Sequence, residues 1–281
     1  MTYDVRRLSY DGYMREPAIL TTQQLTRKYG ELTAADAVSI EVEAGEVFGL
    51  LGPNGAGKTT VIKMLTTLLP PTAGTAQIGG WDIVGKAAEV RRVIGYVPQL
   101  LSADGALTGY ENLDIFARLY DIPRAEREGR IRDALAFMDL MSVSDKLLRT
   151  YSGGMIRRLE IAQSMLHRPQ VLFLDEPTVG LDPTARQAVW DRISQLSAGY
   201  GTTIVLTTHY MEEADRLCNR IAFMHLGKVT AVGTPSGLKA SLGGNGITLD
   251  DVFARFTGGA LAEGDNYRET ARTRRTVRRL G

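Results

Sequence analysis

The chain has 281 residues, 44% of them hydrophobic, so it can bury a sizeable core in one large or two small domains. Its 33 lysines and arginines nearly balance 32 aspartates and glutamates, so bulk charge gives no reason to expect a nucleic-acid partner. No apolar run approaches the length of a membrane span, and the polar start of the chain lacks a signal-peptide core. The single cysteine, Cys218, predicts a reduced, structural thiol. These features favour a cytoplasmic protein.

The N-terminal part of the chain changes pattern near residue 17. Residues 1–16 are polar and irregular, which is typical of a mobile leader. Residues 17–49 alternate weakly between apolar and polar, clearest at residues 38–42, and predict an antiparallel β-subdomain that carries Tyr29. The apolar run at residues 46–51 then predicts a buried parallel strand.

A phosphate-binding loop follows that strand. The spacing of its glycines, lysine and threonine lets backbone N–H groups converge on anionic phosphates, at the start of a helix predicted over residues 60–65. Lys58 is expected to reach the β- and γ-phosphates of a nucleoside triphosphate, and the Thr59 hydroxyl to bind Mg²⁺. An ordinary glycine-rich turn is the poorer interpretation. The predicted nucleotide-binding residues are Gly52, Pro53, Asn54, Gly55, Ala56, Gly57, Lys58, Thr59 and Thr60.

The next part of the chain, about residues 100–168, is predicted to be helical. Thr108 and Glu111 form a capping box, and residues 125–140 are amphipathic. Ser152 is a good N-cap for a further helix, and Ser152-Gly153-Gly154 would expose N–H groups and a hydroxyl at a positive helix end. That end predicts a second anion site, although a plain capped helix fits the pattern too.

Two strand ends carry the candidate catalytic side chains. Residues 171–175 form an apolar run that ends in Asp175, and Glu176 follows directly. Ligands bind at the carboxyl ends of strands in open α/β sheets, so Asp175 is predicted to hold Mg²⁺ and Glu176 to polarise an attacking water. A strand at residues 203–206 leads into His209 in the same way, and residues 221–230 read as a hairpin.

The motifs, in this order, resemble those of the ATP-binding subunits of ABC transporters. The resemblance implies an α/β P-loop NTPase core with an antiparallel β-subdomain and a helical subdomain, which binds and hydrolyses ATP with Mg²⁺. It implies that Tyr29 stacks on adenine, that Gln99 contacts Mg²⁺ and senses the transport subunit, and that His209 contacts the γ-phosphate. It also implies that Ser152, Gly153 and Gly154 contact ATP held by an opposite protomer, and that Asp182 communicates across the dimer.

Two details narrow the resemblance. Met155 stands where the family usually has glutamine, and residues 151–155 resemble the variant found in drug, lipid and polysaccharide exporters. Residues 249–258 resemble the tail of daunorubicin-resistance-type ATPases. This implies export of a drug, antibiotic, lipid or polysaccharide through a separate integral membrane permease. The chain would then lie on the inner face of the cell membrane, as a homodimer or as a heterodimer with a similar subunit.

Other functions fit less well. An importer subunit remains an alternative, whereas two-module translation factors and coiled-coil repair ATPases do not match a chain with one phosphate loop and a short Gln99–Ser152 spacing. A GTPase would need a guanine-reading Asn-Lys-x-Asp motif, which the sequence lacks.

The expected domain division has a leader at residues 1–16, an ABC ATP-binding domain at 17–235 and a short extension at 236–281. An arginine-rich tail ends this extension. A solvated tail is favoured over a membrane-contacting basic helix because hydrophobic anchors are scarce.

Overall fold

A computed structural model describes residues 18–244 and 246–257. The expected leader and the arginine-rich tail lie outside these residues. The strands are β1 Ala18–Tyr29, β2 Leu32–Val38, β3 Glu41–Glu43, β4 Val47–Leu51, β5 Ala73–Ile78, β6 Trp81–Asp82, β7 Ile94–Val97, β8 Val171–Asp175, β9 Thr203–Thr208, β10 Arg220–His225 and β11 Lys228–Gly233. The helices are α1 Lys58–Leu65, α2 Ala87–Val93, α3 Gly109–Leu119, α4 Arg124–Phe137, α5 Gly153–Met165, α6 Pro183–Tyr200, α7 Met211–Leu217, α8 Pro235–Ala240 and α9 Leu249–Thr257.

A six-stranded sheet in the order β11-β10-β4-β9-β8-β7 forms the centre of the fold. Strands β10, β4, β9, β8 and β7 run parallel, and every residue of β4, β8 and β9 is buried, as expected for strands covered on both faces. Leu51 pairs with Thr208 and Asp175 with Thr207, so the ends of these three strands lie side by side. This register gathers the candidate site at one edge of the sheet.

A five-stranded antiparallel sheet of β1, β2, β3, β5 and β6 confirms the predicted β-subdomain. The alternating stretch at residues 38–42 is divided between two strands, which is a difference from the sequence pattern. Its physical reason is the Thr22 hydroxyl, which donates to the Val38 carbonyl and accepts from the Ile40 N–H, both at 2.9 Å. These bonds replace the strand ladder there, and β3 pairs with β1 instead of extending β2.

The region after β7 is helical, as the sequence predicts. The Thr108–Glu111 capping box is present at the start of α3. Leu113 is buried in the main core, and Tyr120 stacks on His167 with ring centroids 3.8 Å apart. Core packing therefore uses a leucine of α3 and the tyrosine that follows this helix.

The C-terminal part of the described chain packs on the central sheet. Helix α9 buries Val252 and Phe253 in the main core, and the Phe253 ring lies 5.5 Å from that of Phe223 on β10. Cys218 is buried, and burial raises the pKa of its thiol well above the ordinary value, which agrees with a structural thiol. Across residues 18–244 and 246–257, no helix has both the length and the apolar character that a membrane span requires.

Candidate active site

The phosphate loop joins β4 to α1 in the conformation that its glycines allow. Gly57 has φ of 105° and is the N-cap of α1, in a region that side chains with a Cβ rarely adopt. A Cβ on Gly57 would collide with the Ala34 carbonyl oxygen of β2, so the antiparallel sheet lies directly against the loop. The first turn of α1 leaves backbone N–H groups without intrahelical partners, and these groups can hold phosphate oxygens.

Lys58 lies at the start of α1 and is almost fully buried. Its ammonium donates to the Gly52 and Pro53 carbonyls at 2.7 and 3.2 Å and lies 3.3 Å from Glu176 Oε1. Burial lowers the pKa of Lys58, and the nearby carboxylates oppose part of that shift. The cation is thus held inside the loop, aimed at the ends of β4 and β8.

Asp175 ends β8 and is 1% exposed. Its Oδ1 accepts from the Thr207 hydroxyl and from the Thr59 hydroxyl, the latter at 3.2 Å. Its buried Oδ2 has no hydrogen-bond partner among the described residues. Burial raises the pKa of Asp175, and the two threonine hydrogen bonds oppose the shift.

These oxygens fit a magnesium ion. Mg²⁺ is usually held by one or two carboxylates together with substrate phosphates, and it does not need a cage made of protein ligands alone. Among the described residues, no group of three or more histidines, cysteines, aspartates or glutamates is placed to hold a metal. The unpartnered Oδ2 belongs to the carboxylate that the Thr59 hydroxyl contacts through Oδ1, which matches the sparse arrangement that magnesium accepts.

Glu176 follows Asp175 and is the point where the other candidate side chains meet. Gln99 Nε2 donates to its Oε2 at 2.8 Å, and His209 Nδ1 lies 3.4 Å from its Oε1, beside Lys58. Its backbone has φ of 49°, a strained value for a non-glycine residue, and such strain clusters at functional sites. Burial alone would raise the pKa of Glu176, but His209 and Lys58 outweigh it and leave that pKa below its ordinary value.

Thr207 is a site residue that the sequence analysis does not assign. Besides holding Asp175, its hydroxyl accepts from the Glu176 N–H at 3.0 Å, and its own carbonyl accepts from the same N–H at 3.1 Å. One buried side chain on β9 thus orients both acidic residues on the neighbouring strand. The signal available in the sequence is a threonine at the end of a buried strand, two residues before His209.

Residues 152–154, called the signature residues below, lie together with Asp182. Ser152 and Asp182 are the N-caps of α5 and α6, and each accepts a hydrogen bond from its own helix. A Cβ on Gly154 would come within 2.7 Å of Ala185 Cβ, so the two helix starts are in close contact. Among the described residues, no hydrogen bond or ion pair links Ser152 or Asp182 to Glu176.

Tyr29 ends β1 in the antiparallel sheet. The Arg27 guanidinium lies 4.8 Å from the centre of its ring, and Tyr29 pairs with Leu32 across the turn to β2. The ring is partly exposed, so an aromatic surface remains accessible to a ligand. The hydrogen bonds and ring contacts among the described residues do not join Tyr29 to the phosphate loop.

Comparison with known proteins identifies the family. A family model described as ABC transporter matches residues 35–179, just over half of the chain. The chain belongs to the ABC transporter family. This ABC protein is an ATP-binding and ATP-hydrolysing subunit, and its two sheets and helical region are those of an ABC ATPase.

Individual relatives support the assignment over most of the chain. The daunorubicin resistance ATP-binding protein DrrA3 of Streptomyces coeruleorubidus is 45% identical, over 85% of this chain and 74% of its own length. The Nod factor export ATP-binding protein I of Ralstonia nicotianae is 46% identical, over 78% of this chain and 68% of its own length. The dimeric post-hydrolysis structure of the ATP-binding cassette MJ0796, bound to ADP and Pi, aligns with a TM-score of 0.68 and 25% identity, over 76% of this chain and 98% of that one.

Proposed function

We propose that this ABC ATPase drives export through a separate integral membrane permease, as a dimer that closes around two Mg²⁺–ATP. The observation that carries the proposal is the group of side chains at the strand ends. Lys58, Gln99 and His209 all contact Glu176, and Thr59 contacts the neighbouring Asp175. Drug resistance and Nod factor export in the names of its relatives support outward transport of a drug-like or lipid-like molecule.

The proposed reaction is in-line attack of water on the γ-phosphate of ATP. Glu176 accepts the proton of the attacking water, and Gln99 and His209 hold its carboxylate in place. Lys58 and the backbone N–H groups of the loop stabilise the negative charge that develops on the transferred phosphoryl group. Thr59, Asp175 and Gln99 would hold magnesium, which when bound neutralises phosphate charge.

Substitution of the proposed base tests the chemistry. Glu176→Gln preserves the shape and hydrogen bonding of the side chain but removes the base, so we expect ATP binding to persist and turnover to fall by about 10²-fold or more. Lys58→Ala should weaken both binding and turnover because it removes the cation from the loop. Glu212→Gln on α7 is a matched control, since Glu212 is exposed and should leave turnover unchanged. Near-normal phosphate release by Glu176→Gln would falsify the assignment of the base.

The dimer follows from the positions of the signature residues. Ser152 and Gly153 are exposed at the start of α5, and nothing in the described fold joins them to Lys58. In the proposed dimer, their donors complete the nucleotide site of the facing subunit, and Tyr29 supplies the adenine contact of each site. Asp182 caps the adjacent α6 and would lie at the same seam. The MJ0796 relative is itself a dimer bound to ADP and Pi.

Light scattering on slow-turnover protein tests this assembly. We expect Glu176→Gln protein to be mainly monomeric alone and dimeric with ATP and Mg²⁺, because each nucleotide would join two subunits. Adding Ser152→Arg should abolish the shift by placing a bulky side chain against the partner's nucleotide. Thr234→Arg is the matched control, since Thr234 is also an exposed hydroxyl N-cap, on α8. Equal dimerisation of the Ser152→Arg and Thr234→Arg proteins would rule out the shared site.

The permease contact is proposed at the helical region. Leu100 and Leu119 are 81% and 71% exposed, and Leu101 and Ile115 also show apolar surface to solvent. A subunit docked there would place the chain on the inner face of the membrane. In this arrangement residues 17–235 act as the ATP-binding domain, with a helical subdomain at about 100–168, and residues 236–281 as an extension.

A further inference from the structure

Helix α5 carries a buried ion pair that the proposed mechanism does not use. Arg157 and Glu160 lie one turn apart, with Nη1 and Oε2 at 3.1 Å and side chains only 3% and 2% exposed. Removing two charges from water costs free energy that their mutual attraction often fails to recover. Burial lowers the pKa of Arg157, yet a guanidinium keeps its charge in proteins. A contribution to the stability of the fold therefore does not by itself explain this ion pair.

Both side chains bind the backbone of the segment at residues 98–102. Arg157 donates through Nη1 to the Pro98 carbonyl at 2.7 Å and through Nη2 to the Gln99 carbonyl at 2.8 Å. Glu160 Oε1 accepts from the Ser102 N–H and from the Ser102 hydroxyl, the latter at 3.1 Å. The planar guanidinium and the carboxylate thus grip the segment at both of its ends.

The gripped segment connects the active site to an exposed surface. At one end Gln99 Nε2 donates to Glu176 Oε2 at 2.8 Å. In the middle Leu100 and Leu101 are 81% and 50% exposed, although the residues on either side are fixed to α5. Displacement of these leucines by a docked subunit would therefore displace Gln99 and α5 together, because hydrogen bonds attach the segment to α5 on both sides of the leucines.

We propose that Arg157 and Glu160 are positioning residues for ATP hydrolysis, which hold the 98–102 segment so that the Gln99 amide stays on Glu176. The inference rests on the roles proposed above for Gln99 and Glu176. Because α5 begins at the signature, a shift of this helix toward an opposite nucleotide is passed through Arg157 to the Gln99 of the same subunit. The ion pair thus connects one nucleotide site to the next.

Arg157→Lys tests the grip with the charge retained. The guanidinium is a planar, rigid fork that contacts two carbonyls and a carboxylate at once. The lysine ammonium keeps the charge but lacks this fixed geometry. We expect kcat to fall about tenfold, since small misplacements of catalytic groups cost one to two orders of magnitude. The KM for ATP should change by less than about twofold, because the phosphate loop is untouched. The matched control is Arg158→Lys on the same helix, whose guanidinium donates to the Met138 carbonyl at 2.7 Å and should leave kcat within about twofold.

A double-mutant cycle with Gln99→Ala separates positioning from general damage to the fold. If Arg157 acts through Gln99, Arg157→Lys should cause no further loss of kcat in the Gln99→Ala protein. The same fold loss in both backgrounds would overturn the inference. An unchanged kcat in the Gln99→Ala protein would also overturn the inference, because it would contradict the role of Gln99. The separate test of Glu176 would not be affected.

Hydrogen exchange gives a second readout that does not depend on activity. Arg157→Lys should speed amide exchange at residues 99–102 about tenfold while exchange in α5 and β8 stays unchanged. If exchange becomes faster throughout the protein, or does not become faster at residues 99–102, Arg157 does not hold this segment. Should Arg157→Lys fail to fold, Glu160→Gln can replace it, because the amide keeps the shape but loses the charge opposite Arg157.

Discussion

The Thr207 hydroxyl is a single group whose removal should disturb both acidic residues of the site. Thr207→Val deletes its bond to Asp175 and one of the two bonds to the Glu176 N–H. A hydrogen bond to a charged group contributes about 1.5–3 kcal/mol and a neutral one about 1 kcal/mol. We therefore expect the free energy of unfolding to fall by about 2.5–4 kcal/mol. Turnover should fall as well, because both carboxylates lose an orienting partner.

Thr203→Val provides the matched control on the same strand. Thr203 is also buried, at 1% exposure, but its hydroxyl accepts from the Gly45 N–H at 2.9 Å and has no carboxylate partner in the described part of the chain. Its loss should cost about 1 kcal/mol and leave turnover unchanged. Urea unfolding and steady-state ATPase rates measure both effects. Equal losses of stability in the two variants, with turnover retained in Thr207→Val, would refute the assigned role.

The pH dependence of the Thr207→Val effect has a defined sign. Burial raises the folded-state pKa of Asp175 above its unfolded-state value. The charged carboxylate therefore destabilises the folded state at high pH, and this destabilisation disappears as the pH falls through the folded-state pKa. Loss of the Thr207 hydroxyl enlarges the penalty on the charged form. The stability difference between wild type and variant should therefore shrink as the pH is lowered from about 7 toward about 4. A constant difference would mean that the hydroxyl does not act on the charge of Asp175.

Two further predictions concern the phosphate loop. Gly57→Ala should lower the free energy of unfolding by about 3 kcal/mol, through backbone strain and collision with a carbonyl oxygen. Gly30→Ala should cost about 1 kcal/mol, because no described residue beyond its chain neighbours lies within 4 Å of its new Cβ. Equal urea midpoints would contradict this. Lys58→Met should raise the pKa of Glu176 because it removes a neighbouring positive charge, and carboxyl ¹³C NMR measures that pKa. Lys63→Met, at an exposed lysine of the same helix, should leave it unchanged. A Glu176 pKa insensitive to Lys58 would contradict the assigned ion pair.

The sequence predicted those parts of the site that are coded locally. The phosphate loop, the strand that ends in Asp175 and the helix capped by Ser152 each depend on neighbouring residues, and the structure has all three. The helices and hairpin follow for the same reason, since capping and periodicity act within a few residues.

Features that depend on register between distant segments could not be read from the sequence. Thr207 meets Asp175 because β9 pairs with β8 in one particular register, and a shift of one residue would turn its side chain to the other face. Arg157 meets the 98–102 segment across a long stretch of chain, and its sequence context alone suggests only a basic helix face. The break after Val38 is likewise caused by a threonine on another strand.

The contacts of Glu176 connect substrate binding to the strength of the proposed base. A carboxylate with a lowered pKa is a weak base, and Lys58 at 3.3 Å is one of the groups that lower the pKa of Glu176. In the proposed mechanism Lys58 turns its charge to the phosphates of ATP, and the bound triphosphate adds negative charge nearby. Both changes raise the proton affinity of Glu176. The base would therefore gain strength when a substrate is present to be hydrolysed, and Gln99 and His209 would keep it aligned while its charge partner changes.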